Sequence, residues 1–254
     1  MGRLDGKVAV ILGASDSRSM GAATAKRFAE EGAKLVLAAR RIDQLKPIAA
    51  ECGGIAVACD VTKEADLIAL AKAAIAKYGK LDVAISFVGL NSSAPVAEVT
   101  EETLLESCRV HLIGPTLFLK HMGAAMSNGG SMVLVSSQTT IEAPPGLAAY
   151  AGTKAGAEQV VRIAAVEYGP RGIRVNSLLP GFTRSGMTDA YFQIPTLEGA
   201  MLREIPLRRL PTVKDIANAA LWLASDEAFT TGSRIDISGG QTLCRIPTGE
   251  EMMR

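Results

Sequence analysis

Cysteine, histidine and long apolar runs are scarce in this sequence, and each shortage excludes a class of protein. The four cysteines form no C-x-x-C pair, so neither a disulfide framework nor a thiolate metal site is indicated. The two histidines occur with no cluster of carboxylates, and we expect no metal. No run of 18 apolar residues is present, and the first residues lack the apolar stretch of a secretory signal. We therefore expect a cytoplasmic protein whose cysteines are free.

An excess of charge is also absent. Lysine and arginine total 27 against 26 aspartates and glutamates, and no basic run stands out. This balance argues against nucleic acid or an anionic membrane as a partner. Hydrophobic residues make up 48% of the chain, which is enough for a large core without disulfides or metal. We see neither linker nor repeat and expect a single domain over residues 1–254.

Short apolar runs alternate with helical patterns along the chain. The runs, rich in Val, Ile and Leu, lie at 8–12, 35–38, 55–59, 81–88, 132–135, 173–179 and 234–237. The helical patterns lie at 22–31, 44–51, 65–78, 103–126, 149–168 and 215–224. Continuous apolar runs indicate strands buried on both faces. Their alternation with helices predicts an α/β fold with a parallel sheet, helices on both sides and right-handed crossovers.

Two connections have the composition of binding segments. The first strand is followed by a turn of small residues, 13–22, that opens a helix; its free N–H groups can bind a pyrophosphate. The G-x-G-x-x-G spacing is absent, so a plain tight turn is the alternative. After the sixth strand, an apolar insertion at about 182–209 lies where open α/β sheets bind ligands. It predicts a substrate lid, with an ordinary surface helical hairpin as the alternative.

Tyr150 and Lys154 stand four residues apart in a helical pattern and therefore share one helix face. A phenol has a pKa of about 10, and a neighbouring ammonium favours its anion. The pair can thus act as a general acid and base near neutral pH. On its own this spacing is more typical of an ordinary surface helix, and its context decides.

In order along the chain, several motifs resemble those of the short-chain dehydrogenase/reductase family over essentially the whole length. Ser137 precedes Tyr150 by thirteen residues, the family's usual distance from catalytic serine to catalytic tyrosine. The other matches are the outer glycines of the cofactor loop (Gly13, Gly21), the adenine-facing turn (59–61), the Asn-Asn-Ala-Gly slot (86–89), the end of the sixth strand (180–181) and the Asp-Gly-Gly ending (237–240). The resemblance implies one Rossmann-type, doubly wound parallel sheet of about seven strands and a nicotinamide cofactor.

The resemblance also implies roles for individual residues. Tyr150 would exchange a proton with the substrate oxygen, and Lys154 would lower the pKa of Tyr150 and bond the nicotinamide ribose. Ser137 would hold the substrate oxygen; Ser136 is its rival, but the spacing favours Ser137. The expected cofactor-binding residues are Gly13, Ser15, Arg18, Ser19, Met20, Arg40, Arg41, Asp60, Val61, Val88, Gly89, Tyr150, Lys154, Pro180, Gly181, Thr183 and Ser185.

Two positions depart from the family pattern. The glycine loop is two residues longer than usual and resembles that of the enoyl reductase branch. Enoyl reductases, however, space their Tyr and Lys further apart, so this pair favours carbonyl or alcohol chemistry. His111 stands where the family usually has an Asn that holds a water to the catalytic lysine. We expect it either to keep this proton relay and titrate near neutrality, or to bond local backbone; His121 is expected to be structural.

Cofactor and substrate follow from side chains near the strand ends. Ala39 fills the slot of the acidic residue that would bind the ribose of NAD, and Arg40 can pair with a 2′-phosphate, so we expect NADP(H).

The lid residues suggest a medium-sized, largely apolar ketone or secondary alcohol. Glu142 is predicted to be exposed rather than to contact substrate. The alternatives are an enoyl-type reductase and a cofactor-binding protein with little turnover. The resemblance implies a homotetramer.

Overall fold

Seven parallel strands form a single sheet in the computed structural model, which describes residues 2–253. The strands are Val8–Leu12 (β1), Lys34–Ala39 (β2), Ile55–Ala58 (β3), Val83–Ser86 (β4), Gly130–Val135 (β5), Ile173–Pro180 (β6) and Arg234–Ile237 (β7). Their order is β3-β2-β1-β4-β5-β6-β7, with every neighbouring pair parallel. The predicted doubly wound, Rossmann-type fold is confirmed. The order reverses between β1 and β4, and ligands bind at such a reversal.

Helices cover both faces of this sheet. They are Met20–Glu30 (α1), Ile42–Glu51 (α2), Glu64–Tyr78 (α3), Glu101–Cys108 (α4), Gly114–Ala125 (α5), Ala148–Tyr168 (α6), Leu197–Glu204 (α7), Val213–Ala224 (α8) and Gly249–Met253 (α9). Side chains cap some of these helices: the Ser19 hydroxyl accepts from the Ala22 N–H at α1, and Thr212 forms a capping box with Asp215 at α8. None of the helices within residues 2–253 is long and apolar enough to cross a membrane.

Two hydrophobic cores lie on opposite faces of the sheet. Along β1, Ala9 and Ile11 pack into one core with Phe28 of α1, while Val10 and Leu12 pack into the other. This alternation follows from the two-residue period of a strand. Because both sets of side chains are buried, the strands appear in the sequence as continuous apolar runs.

The predicted helix at 103–126 is divided. A π-helical segment, Arg109–Ile113, separates α4 from α5. Pro115 has no N–H and so cannot bond the carbonyl four residues before it, that of His111. A wider turn, in which the Gly114 N–H bonds the Arg109 carbonyl, takes its place. The irregularity places His111 beside the cleft described below.

The lid and the tail pack on each other. The lid region at about 182–209 contains a short 3-10 turn, Tyr191–Gln193, and helix α7. The tail helix α9 contacts α7: the Thr196 hydroxyl donates to the Met252 carbonyl, and Arg245 lies 3.2 Å from a Glu204 oxygen. The carboxyl ends of the strands are therefore covered by two segments that are distant in the sequence.

Candidate functional site

A cleft of about 890 Å³ lies at the carboxyl ends of the strands. It is lined by the glycine loop, the ends of β2 to β6, the start of α6, the lid and the tail. Every residue expected to bind cofactor lines it except Arg18, and so do Ser137 and Tyr150. His111 lies instead in a separate small cavity behind Lys154. In the described part of the chain, no group of three His, Cys, Asp or Glu side chains comes together as a metal site.

Close backbone packing shapes the loop where a pyrophosphate would lie. Gly13 has a φ of +99°, a conformation that favours glycine. A Cβ on Gly21 would lie 2.5 Å from the Gly13 carbonyl oxygen, so only glycine lets α1 begin this close to β1. No acidic residue occupies the first turn of α1. These residues fit a dinucleotide whose phosphates meet the helix N-terminus.

Two adjacent serines at the end of β5 point to different partners. The Ser136 hydroxyl donates to the Glu158 carboxylate. The Ser137 hydroxyl accepts from the Thr139 N–H at 3.2 Å and from the Thr139 hydroxyl at 3.0 Å. Its own proton therefore remains free to face the phenol of Tyr150. This geometry favours Ser137 over Ser136 as the group that holds a substrate oxygen.

Tyr150 and Lys154 lie one turn apart on α6, at the end of the cleft nearest Ser137. Burial raises the pKa of the Tyr150 phenol, and the hydrogen bond with Ser137 counteracts this. The Lys154 ammonium donates to the Val135 carbonyl at 2.7 Å and to the Val88 carbonyl at 3.3 Å. Burial lowers the pKa of Lys154 to about 8, with Glu158 opposing the shift. Burial is the largest influence on the pKa of Tyr150, and the expected lowering of that pKa by Lys154 stays a prediction.

His111 is fully buried and held by hydrogen bonds at both ring nitrogens. Nε2 accepts from the Leu90 N–H at 2.8 Å, so this nitrogen carries no proton. Nδ1 lies 3.1 Å from the Thr153 hydroxyl, which itself donates to the Ala149 carbonyl at 2.7 Å; Nδ1 therefore donates. The imidazole is neutral and stands edge-on to the Tyr150 ring, with the centroids 5.1 Å apart.

The prediction that His111 titrates near neutral pH is wrong. Burial, together with the charge of Lys154, lowers the pKa of His111 to about 3. The expected bond to local backbone is also replaced, since the partner is Leu90, 21 residues away in the sequence. His111 thus fixes the loop after β4 and packs against Tyr150. His121 lies outside the cleft, with Nε2 2.8 Å from a Glu64 oxygen.

Arg18 does not line the cleft, in contrast to its expected contact with the cofactor. Its guanidinium pairs with Asp189 of the lid and lies 3.6 Å from Asp16. Asp16 in turn packs on Gly186 of the lid. Asp16 and Arg18 therefore join the glycine loop to the lid.

Two arginines lie at the end of β2, where the adenosine half of a cofactor would lie. Arg41 donates to the Ser15 hydroxyl at 3.2 and 3.3 Å. Burial acts to raise the pKa of Asp60, but hydrogen bonds from Thr62 and the charge of Arg40 hold it below its usual value. Arg40, Arg41 and Asp60 all line the cleft, and Ala39 leaves the end of β2 without an acid. This corner can accept a phosphate.

The prediction that Glu142 is exposed is wrong. Both of its carboxylate oxygens are buried and have no hydrogen-bond partner among residues 2–253. Burial, helped by the charge of Asp236, raises the pKa of Glu142 to about 7. The residue follows the 3-10 turn Gln138–Thr140 and lies outside the cleft lining.

The tail contributes to the site in a way that the sequence did not predict. Ile246, Gly249, Met252 and Met253 line the cleft opposite the strand ends. Met187, Ile194, Leu197 and Met201 of the lid also line the cleft, and the tail helix α9 contacts α7 of the lid. The only signal for this in the sequence is the mixed apolar and charged pattern of the tail, which does not indicate where the segment packs.

The arrangement has the parts of a proton-transfer site. A hydroxyl and a phenol stand side by side, a buried ammonium lies one turn behind the phenol, and a cleft with an apolar wall leads to them. Such a site can hold a polarised oxygen and give or take its proton.

Comparison with known proteins finds oxidoreductases among the relatives of this chain. Residues 13–242 match the family model described as enoyl-(acyl carrier protein) reductase. An uncharacterized oxidoreductase of Methylorubrum extorquens is 35% identical over 94% of this chain and 99% of its own length. Borneol dehydrogenase of Lavandula x intermedia is 35% identical over 95% of this chain and 92% of its own length. D-threitol dehydrogenase of Mycolicibacterium smegmatis is 32% identical over 95% of both chains.

A solved structure shows the same fold along the whole chain. A short-chain type dehydrogenase/reductase from Mycobacterium ulcerans superimposes with a TM-score of 0.94. The match covers 100% of this chain and 95% of the other, at 27% sequence identity. The lid and the tail are therefore included in the matched region.

Proposed function

The chain belongs to the short-chain dehydrogenase/reductase family and is an oxidoreductase, and we propose that it interconverts a ketone and a secondary alcohol with NADP(H). The observation that carries this proposal is the grouping of Ser137, Tyr150 and Lys154 at one end of the cleft. Lys154 follows Tyr150 by four residues, and the resemblance implies carbonyl or alcohol chemistry for this spacing. The nicotinamide cofactor supplies or accepts the hydride when bound.

The protein's own residues handle the oxygen and its proton. The free proton of Ser137 orients the substrate oxygen, since the Ser137 oxygen already accepts from Thr139. Tyr150 gives its proton to that oxygen in reduction and removes one in oxidation. Lys154 has two of its protons on carbonyls, which leaves the third for the nicotinamide ribose. His111 packs against the Tyr150 ring and limits its movement.

NADP(H) is favoured by the charge at the end of β2. An acid in place of Ala39 would repel a 2′-phosphate, whereas Arg40 and Arg41 line this corner of the cleft. A charge-assisted hydrogen bond contributes about 1.5–3 kcal/mol. We expect Arg40→Ala to weaken NADPH binding by roughly tenfold or more and NADH binding hardly at all. Fluorescence titration with each cofactor checks this, and an equal loss for both would contradict the choice of NADP(H).

The apolar wall of the cleft favours a medium-sized, largely apolar substrate. Four methionines, Met187, Met201, Met252 and Met253, line it from the lid and the tail. Methionine side chains adapt to irregular apolar shapes. Two relatives are named as dehydrogenases of borneol and of D-threitol, and the first of these names suits an apolar alcohol. We propose a bulky aliphatic or cyclic ketone.

An enoyl-type reductase is the second candidate. The description of the matching family model and the long glycine loop favour it. In this structure, however, Asp16 and Arg18 of this loop contact the lid, so a loop of this length does not require alkene chemistry. A cofactor-binding protein with little turnover is less well supported, because it has no need of the three catalytic side chains together.

Turnover with purified protein tests the proposal. NADPH oxidation is followed with a panel of cyclic and aliphatic ketones and of enoyl thioesters. We expect turnover with ketones and a loss of about 10²–10⁴-fold in Tyr150→Phe. Tyr168→Phe is the matched control, because this phenol lies at the far end of the same helix and donates to the Leu119 carbonyl. Turnover with thioesters alone would refute the proposal.

The homotetramer implied by the resemblance stays a prediction, as does the cytoplasmic location expected from the sequence composition. Exposed apolar side chains on two adjacent helices support self-association: Leu104 and Leu105 on α4, and Ile163 and Val166 on α6. Light scattering during size-exclusion chromatography measures the mass. A monomer of 26.5 kDa at micromolar concentration would contradict this prediction.

A further inference from the structure

Glu158 is a buried carboxylate one helical turn beyond Lys154 on α6. It is 5% exposed, although glutamates are rarely buried without a partner. Three donors hold it: the Ser136 hydroxyl, the Thr140 hydroxyl at 2.7 Å, and the Arg234 guanidinium at 3.2 Å. None of the proton-transfer steps above uses this side chain.

A cavity of about 10 Å³ joins Glu158 to the ammonium of Lys154. Its lining includes both side chains, as well as His111, Ser136 and Ser177. Its volume is about the smallest that can hold one water molecule. Lys154 and Glu158 stand four residues apart on α6 and are each 5% exposed, so the two charges share a helix face and are shielded from bulk solvent. Their interaction is therefore screened less than that of a surface pair.

We propose that Glu158 is a positioning residue whose buried negative charge keeps Lys154 protonated next to Tyr150. The proposal rests on the proposed catalytic role of Lys154. Without Glu158, burial alone would favour the neutral amine, which can neither support a phenolate nor bind the ribose as a cation. Ser136 then orients the Glu158 carboxylate rather than the substrate.

The other charges around Lys154 have defined effects. Tyr150 precedes it on α6, and His111 faces it from the π segment as a neutral ring. Arg234 of β7 touches Glu158 and offsets part of its charge, but this side chain is half exposed, so solvent weakens the offset. The carboxylate is thus the main source of negative potential at the ammonium among the described neighbours. Consistent with this, Glu158 acts to raise the pKa of Lys154.

The direct test is the titration of Lys154 in the cofactor-free protein. Side-chain NMR of protein with ¹⁵N- and ¹³C-labelled lysine is recorded against pH, with Lys154→Arg used for assignment. Glu158→Gln keeps the shape but removes the charge, and we expect the pKa of Lys154 to fall by about one pH unit. Arg234→Gln, at a half-exposed position, removes the opposing cation, and we expect the pKa to rise.

Kinetics provide the second readout. Removing a negative charge eases loss of the first proton from the Tyr150–Lys154 pair, whichever group releases it. The basic limb of ketone reduction should therefore move to lower pH by about one unit in Glu158→Gln. Glu167→Gln, an exposed glutamate on the same helix, is the matched control and should shift neither the titration nor the limb.

The outcomes of these experiments separate the two proposals. A Lys154 titration unchanged in both Glu158→Gln and Arg234→Gln would overturn the positioning role, even if stability or the maximal rate changed. If Glu158→Gln does not fold, the direction of the Arg234→Gln shift decides. If no ketone is reduced but the titrations move as expected, the inference about Glu158 stands and the proposed function fails.

Discussion

The buried imidazole of His111 predicts a loss of stability in mild acid that a single substitution should remove. In the folded protein the pKa of His111 is about 3, against 6.5 for a free histidine. The unfolded chain therefore binds a proton in the range where the folded protein does not. Stability from this residue is fully present above pH 6.5 and is lost as the pH falls from 6.5 towards 3.

The size of the effect follows from the pKa difference. Each pH unit between the two values changes the free energy of unfolding by about 1.4 kcal/mol. Between about pH 7.5 and pH 5.0, protonation of unfolded His111 thus costs roughly 2 kcal/mol of stability. This is a large part of a typical total of about 5–15 kcal/mol. His111→Gln retains an acceptor for the Leu90 N–H but does not titrate, so it should lose this pH dependence.

Urea unfolding at pH 5.0, 6.0 and 7.5 measures how the free energy of unfolding depends on pH. We expect His111→Gln to be less stable than the unsubstituted protein at pH 7.5, because the contact with Thr153 is lost. The difference between the two should shrink by roughly 2 kcal/mol at pH 5.0. His121→Gln, which changes the other histidine, is the control and should keep the acid loss. Parallel stability curves for His111→Gln and the unsubstituted protein would refute the neutral, buried imidazole.

Three further predictions concern the cleft. Asp189→Asn removes the ion pair between lid and cofactor loop, and should speed NADPH release in stopped-flow fluorescence by no more than about fivefold, since both partners are partly exposed. Gly21→Ala places a Cβ 2.5 Å from the Gly13 carbonyl oxygen and should cost about 1–3 kcal/mol in thermal unfolding, whereas Gly152→Ala, which meets no atom within 4 Å, should not destabilise. Met252→Ala should raise the KM for an apolar ketone about tenfold and leave the KM for NADPH unchanged.

The sheet could be predicted from local pattern because its strands are buried on both faces. The runs at 8–12 and 234–237 coincide with β1 and β7, and the others differ at their ends by a few residues. The run at 81–88 is longer than β4 because the apolar residues on either side of the strand, among them Leu81 and Val88, pack into the same core. Periodicity reports burial, not the point where ladder hydrogen bonds stop.

Contacts between distant segments could not be predicted in this way. The partner of His111 lies 21 residues away, and Arg18 pairs with a residue 171 positions further along. The tail lies at the cleft because its helix α9 packs on α7 of the lid. In the sequence Glu158 looks like an ordinary helix residue, and its hydrogen bonds with Ser136, Thr140 and Arg234 are visible only in the folded structure. Motif spacing located the reacting groups, but burial and partners set their protonation.

Hydride transfer to a cyclic α,β-unsaturated ketone tests the central claim most directly. This substrate offers a carbonyl carbon and an alkene carbon to the same deuterated NADPH, and mass spectrometry with NMR locates the deuterium in the product. We predict deuterium on the carbon that bears the new hydroxyl, and no such product with Tyr150→Phe. Deuterium on the β-carbon, with the carbonyl intact, would contradict the account and assign alkene reduction to this site.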